Sequence, residues 1–203
     1  IYGEKNTFLN GEQEVLGGFD SFRLGFFQLV SAQSSTGFVT TNYDTWPYAC
    51  QVLMLIAMFF GGMSGSTGGG VKVIRFMMIF RIIQNKVEKI YRPETTKEVV
   101  LEGRVIDEKA GLTVLIYLVI VVAFSLLGTL LYTFDKVDPE TALSLSACMI
   151  NNIGISFRSA GPTESFAFLS NFSKIVSIFW MLLGRLEFFA LLVLLTPSFW
   201  KSR

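Results

Sequence analysis

Apolar residues gather in four blocks, Tyr48–Met63, Val71–Ile83, Ala110–Phe134 and Lys174–Pro197, separated by stretches rich in glycine, hydroxyl and charged side chains. Crossing about 30 Å of hydrocarbon takes roughly 20 helical residues, so the last two blocks are long enough to span a bilayer. The first two are shorter and are joined by Gly61–Gly70, GGMSGSTGGG, with six glycines in ten residues. Each glycine weakens a helix by about 1 kcal/mol relative to alanine. The pair therefore reads as one span broken in its middle by a mobile loop.

Ahead of these blocks, Val30–Tyr43 (VSAQSSTGFVTTNY) is too polar to cross a membrane as a helix, yet its neighbours look like spans. Irregular backbone survives at that depth only inside protein or beside a water-filled cavity. The pattern predicts a re-entrant hairpin: a short helix over Phe19–Gln33 with Asp20 or Ser21 as cap, extended backbone at Ser34–Phe38, and an exit through Val39–Pro47. Residues Ile1–Gly18 read as an exposed polar loop. A second hairpin follows, with Asp138 as cap, Pro139 in the first turn, a short helix through Ile150 and then Asn151–Ser156.

Placing Gly37 over Gly154, an offset of 117 residues, lays the short helices on one another, sets Tyr48–Phe60 over Ser165–Ser177 and puts Gly68 on Arg185. The order of elements, rather than residue identity, carries this repeat. One unit is expected over 1–109, lacking its first span and ending in a cytoplasmic linker, and the other over 110–203. The missing span and the opening Ile1 make the chain read as a fragment.

Composition narrows the chemistry. With 51% hydrophobic and 16% charged residues, the chain lies outside the usual soluble balance. A formal charge of +1 gives no reason to expect a nucleic-acid partner. There is no histidine, and Cys50 and Cys148 lack metal-site spacing, so both read as buried free thiols. Asp135, Asp138 and Glu140 look like loop and cap residues rather than a catalytic set, and an enzyme is not expected. The glycine run departs from the phosphate-loop pattern because Val71 separates Gly70 from Lys72. Nine Lys or Arg fall between Lys72 and Lys109, which marks that side as cytoplasmic and has both hairpins entering from outside.

A dehydrated cation needs several oxygens converging from an inward-facing backbone. Gly37 allows the φ values that turn successive carbonyls to one side. Taken alone, STGF reads as a simple turn before a strand rather than as a filter. Arg185 is costly in lipid and should face protein, water or an acid. It reads either as half of a structural salt bridge or as a fixed positive charge beside Gly61–Gly70.

With STGF at Ser35–Phe38, TTNYDTWP at Thr40–Pro47, GGMSGSTGGGVKVIR at Gly61–Arg75, NNIG at Asn151–Gly154 and LLGRLEFFALLVLLTPSFW at Leu182–Trp200, the chain resembles the C-terminal half of a TrkH/KtrB-type potassium transporter, TrkH more than KtrB. The resemblance implies an all-α membrane protein with helix–re-entrant pore hairpin–helix repeats, four per chain around one potassium pathway. Ser35, Thr36, Gly37 and Phe38 would form the third filter. Asn151, Asn152, Ile153, Gly154 and Ile155 would form the fourth, with K⁺ held by the carbonyls of Thr36, Gly37, Ile153 and Gly154. Gly61, Gly62, Gly65, Ser66, Thr67, Gly68, Gly69, Gly70 and Arg185 would form the gate. The fourth filter's Asn151–Asn152 makes strict fourfold coordination doubtful. The family also implies a homodimer in the bacterial inner membrane, a TrkA-like cytoplasmic nucleotide-binding ring near Lys72–Lys109, and no cofactor on this chain. The function expected is potassium uptake through a gated, filter-containing pore. The alternatives are Na⁺- or H⁺-coupled potassium symport and a non-conducting membrane scaffold.

Overall fold

The computed structural model describes residues 1, 5–9, 11–63, 66, 68–92, 99–101, 104–106, 108–186, 193 and 200. Gly65 and Thr67 of the expected gate therefore lie outside the described residues.

The chain opens with an antiparallel ribbon, β1 (Lys5–Thr7) against β2 (Gln13–Val15). This corrects the reading of Ile1–Gly18 as an exposed loop. Phe8 bridges Thr41, Asn42 N donates to Thr7 O at 2.8 Å, and Asn6 and Leu16 are buried. Backbone pairing with a segment some 30 residues away holds the ribbon in place, and that leaves no mark in a polar sequence.

Helix α1 (Gly18–Gln33) starts ahead of the expected cap. Gly17 occupies the N-cap without a side-chain bond, and Asp20 stands in the first turn, 3.3 Å from Arg23. Apolar α2 (Tyr48–Phe59) follows Pro47. Next, β3 (Phe60–Gly61) pairs in parallel with β4 (Val71–Lys72), Phe60 opposite Val71. The glycine stretch is thus a loop with a closed neck, reinforced by Val73 N donating to Gly62 O at 3.3 Å. Helix α3 (Val73–Tyr91) runs eight residues beyond Ile83, and β5 (Val99–Leu101) and β6 (Arg104–Ile106) form another antiparallel ribbon. The described residues are mostly helical, as the all-α expectation has it, with three short two-stranded ribbons among them.

Helix α4 (Glu108–Tyr132) supplies most of the segment Gly111–Asp135, which is long and apolar enough to cross a membrane. Leu112, Leu115, Val119, Val122, Leu126 and Leu130 are exposed, while Tyr117, Val121, Ser125 and Tyr132 are buried. Helix α5 (Pro139–Asn151) has the expected Asp138 cap, and α6 (Asn171–Arg185) is capped by Ser170. Helix α6 starts six residues later than the offset of 117 places it, because two 3₁₀ turns, Arg158–Ala160 and Phe166–Phe168, lengthen the loop before it. Of the last apolar block, only Val193 and Trp200 beyond Leu186 are described.

The core forms around α5, which packs against α4, α6 and α2 and is buried at every residue from Ser144 to Asn151. Lipid gives apolar helices little reason to associate, so close packing and interhelical hydrogen bonds carry the contact. Here Ser146 Oγ donates to Ser125 O at 2.8 Å, Trp180 Nε1 donates to Phe124 O at 3.0 Å, and Tyr132 and Ser177 share a 2.8 Å hydroxyl pair. Gly128 leaves the space that Ser146 and Trp180 fill.

Candidate functional site

The C-termini of α1 and α5 release the chain in the same way. Ser35 N donates to Ala32 O and Thr36 N to Ser31 O; 117 residues later Asn152 N donates to Met149 O and Ile153 N to Cys148 O, at the same 3.3 and 3.1 Å. Ser35 and Gly37 have φ of 55° and 71°, and Asn152 and Gly154 have 55° and 87°. A left-handed residue stands at every second position of each segment, a conformation that residues with a Cβ adopt reluctantly. The two segments also meet. Gly37 lies so close to the Ile153 carbonyl that no Cβ would fit, whereas Gly154 faces open space. Gly37 is thus required twice, by its φ and by its neighbour, and Gly154 by its φ alone.

Other expected members of the site take different parts. Ser31 Oγ donates to Phe38 O at 2.7 Å, which turns that carbonyl back toward α1. Thr36 Oγ1 pairs with Ser34 Oγ at 2.6 Å. Asn151 closes α5 rather than standing in the extended run; its Nδ2 donates to Ala147 O and its carbonyl accepts from Ser35 Oγ at 3.1 Å. Ile153 and Ile155 are buried against Cys148 and Tyr43.

The glycine loop presses on the ends of both segments that leave α1 and α5. A Cβ on Gly68 would stand 3.3 Å from Ser35 Oγ, and one on Gly69 would stand 2.8 Å from Asn151 O and 3.0 Å from Asn152 Nδ2. Gly70 abuts Asn151 Oδ1, a buried oxygen with no hydrogen-bond partner among the described residues. On its other side Gly70 O accepts from Tyr117 Oη at 3.3 Å. Gly61 lies against Gly69 O, and Gly62 against the Ser66 side chain. Arg185 is the last residue of α6 and is exposed. It is Gly184 before it that lies against Ile150 O, while Asn152 Nδ2 donates to Met181 O at 3.1 Å.

At the opposite end, Arg158 ties the two hairpins together. Its guanidinium donates to Glu140 at 2.7 Å, to Asp44 O at 3.2 Å and to Gln51 Oε1 at 3.0 Å, and it stands 5.6 Å from the Tyr48 ring centre. Its backbone N donates to Asp44 Oδ2 at 3.0 Å. These contacts offset a left-handed φ of 56°, a conformation that costs about 1–2 kcal/mol in an L-residue. Burial pushes the Asp44 carboxyl above its ordinary range, with Arg158 pulling the other way. Tyr43 Oη donates to Ser156 O at 2.6 Å, a second tie between the hairpins. Beside them a cleft of about 730 Å³ is lined by Lys136, Asp138, Arg158 and Glu164, with both signs of charge.

Comparison with known proteins assigns the family. A family profile described as TrkH, cation transport protein, matches residues 16–202. The chain belongs to the TrkH family. Membership and the span Gly111–Asp135 together place it in a membrane. It is 35% identical over 189 residues to the Trk system potassium uptake protein TrkH of Vibrio parahaemolyticus, covering 91% of this chain and 38% of that protein. The TrkH protein of Escherichia coli K12 is 32% identical over 177 residues, 87% of this chain and 36% of its own length. The crystal structure of the potassium transporter TrkH from Vibrio parahaemolyticus superposes with a TM-score of 0.80 at 32% identity, over 90% of this chain and 39% of that one. The chain thus spans less than two-fifths of the length of these TrkH relatives. Arg158, Tyr117 and Gly184 gave no sequence signal as site residues, because each matters through a partner on another element.

Proposed function

We propose that this chain supplies two of the filter segments and the inner gate of a potassium uptake pore in the bacterial inner membrane. Backbone carbonyls of Thr36, Gly37, Ile153 and Gly154 would take over the hydration shell of K⁺. The observation that carries this reading is the matched pair of left-handed positions, Ser35 and Gly37 with Asn152 and Gly154, on segments in contact with each other. A plain turn needs one such residue, and it does not need the same alternation 117 residues later. The names of the relatives, potassium uptake proteins, agree with K⁺ as the transported ion.

In this reading Gly61–Gly70 closes the pathway below the filter, and Arg185 adds a positive charge that raises the barrier to cations. The pore is completed by the further repeats of a full-length protein, which works as a homodimer under a TrkA-like nucleotide-binding ring docked near Lys72–Lys109. The chain itself carries no bond chemistry and acts as a conduit.

Rubidium uptake by proteoliposomes containing the full-length parent protein and its regulatory ring tests this. Uptake should be blocked by excess K⁺, little affected by Na⁺, and reduced at least tenfold by Gly37→Ala, since the added Cβ meets the Ile153 carbonyl and a strained φ together. Wild-type uptake with Gly37→Ala in a well-folded protein would sink the filter role.

A further inference from the structure

The glycine loop is held from two directions, and one hold comes from outside it. Its neck is closed by β3–β4 pairing, where the stacked rings of Phe60 and Phe76 stand 4.3 Å apart. The side facing away from the extended segments is held by Tyr117 of α4, 1% exposed, whose hydroxyl donates to Gly70 O. The guanidinium of Arg75 stands 3.9 Å from the centre of the Tyr117 ring. A cation over an aromatic face fixes the ring, most strongly where water is scarce. Gly70, with φ of 76°, is consequently gripped between the Tyr117 hydroxyl and the Asn151 side chain.

We propose that Tyr117 and Arg75 are positioning residues that hold Gly68–Gly70 against the inner ends of the extended segments and so set how often the pathway is open. The inference rests on the pore reading above. Arg75 stands three residues after β4, on the helix that leaves the loop, while Tyr117 stands on the span preceding the second hairpin. A shift of α3 against α4 withdraws the guanidinium from the ring, loosens the hydroxyl from Gly70 O and lets the loop leave Asn151. Helix α3, which continues toward the basic segment, is then the mechanical input to the gate.

The test uses the full-length parent protein in lipid nanodiscs and reads hydrogen–deuterium exchange in the peptide spanning Gly68–Val73. Tyr117→Phe keeps the ring and its packing and removes only the hydroxyl. It should speed exchange there about fivefold, the ratio that one ordinary hydrogen bond sustains, and leave α5 unchanged. Arg75→Gln should act in the same direction, and the double variant should add little to the larger single effect. In rubidium uptake, Tyr117→Phe should raise Vmax at an unchanged KM, because the filter backbone is not touched. Unchanged exchange in folded Tyr117→Phe, or a shifted KM with the same Vmax, would overturn the clamp. Absence of uptake by the wild type with its regulatory ring would instead overturn the pore reading, and the exchange experiment would still decide whether Tyr117 holds the loop.

Discussion

Asp138 accepts from Thr141 N at 2.9 Å and from Thr141 Oγ1 at 2.7 Å, closing the first turn of α5. Burial pushes its carboxyl up, but the Thr141 bonds outweigh it and leave the group below the ordinary carboxylate value. A depressed native pKa means that the charge stabilises the fold above the ordinary value, near ~4, and that this contribution disappears as pH falls through the lower native value. Asp138→Ala should cost about 1 kcal/mol at neutral pH, read as a lower Tm. Asp138→Asn, which retains an acceptor without titrating, should keep most of the stability and flatten the acid limb of Tm against pH. An Ala variant as stable as wild type would show that the cap contributes nothing. This residue was legible in the sequence because capping chemistry is local. Asp20 had the same credentials, yet its helix begins at Gly18, where the chain emerging from β2 sets the entry.

Among the elements, α5 is the one on which the others are built, and its C-terminus is where α6 presses hardest. Gly184 lies against the Ile150 carbonyl with no space for a methyl group. Backbone cannot yield as a flexible side chain does, so Gly184→Ala should cost about 1–3 kcal/mol through overpacking and lower Tm accordingly. An unchanged Tm would mean that α6 is not seated on α5. Helices α2 and α4 were readable from their apolar runs, α1 from the near-helical spacing of its apolar residues, and α5 from Asp138 and Pro139. The glycine stretch was readable as a break but not as a closed loop, since the pairing of Phe60 with Val71 depends on two chain ends meeting in space. The ribbons β1–β2 and β5–β6 are equally short, and strands of three residues lack the length for an alternating pattern to stand out.

For the whole molecule, the gate role proposed for Arg185 is the reading most open to test. It ends α6, one residue after the glycine seated on α5, and it is exposed in this chain. On the proposed gate role, Arg185→Ala in the full-length protein should raise rubidium influx several-fold, with less effect at high ionic strength. Wild-type influx in a folded variant would move Arg185 to a structural role. The hairpins themselves are tied at the far end by Arg158 and Tyr43 and at the near end by Ser35 and Asn151, so the two segments are set as one unit.

The sequence by itself determined the mainly helical membrane class, the apolar blocks, the two glycine-bearing segments and the Asp138 cap, because hydropathy, helix period and local hydrogen bonding are properties of neighbouring residues. Its motifs also pointed to the family. Tertiary structure alone decided that Gly37 faces Ile153, that Phe38 turns its carbonyl to Ser31, that Asn151 closes a helix, and that Tyr117 holds Gly70. Each of these joins residues whose separation in the chain or turn of backbone no spacing records, and only the folded arrangement of the helices and the segments that leave them fixes which groups meet.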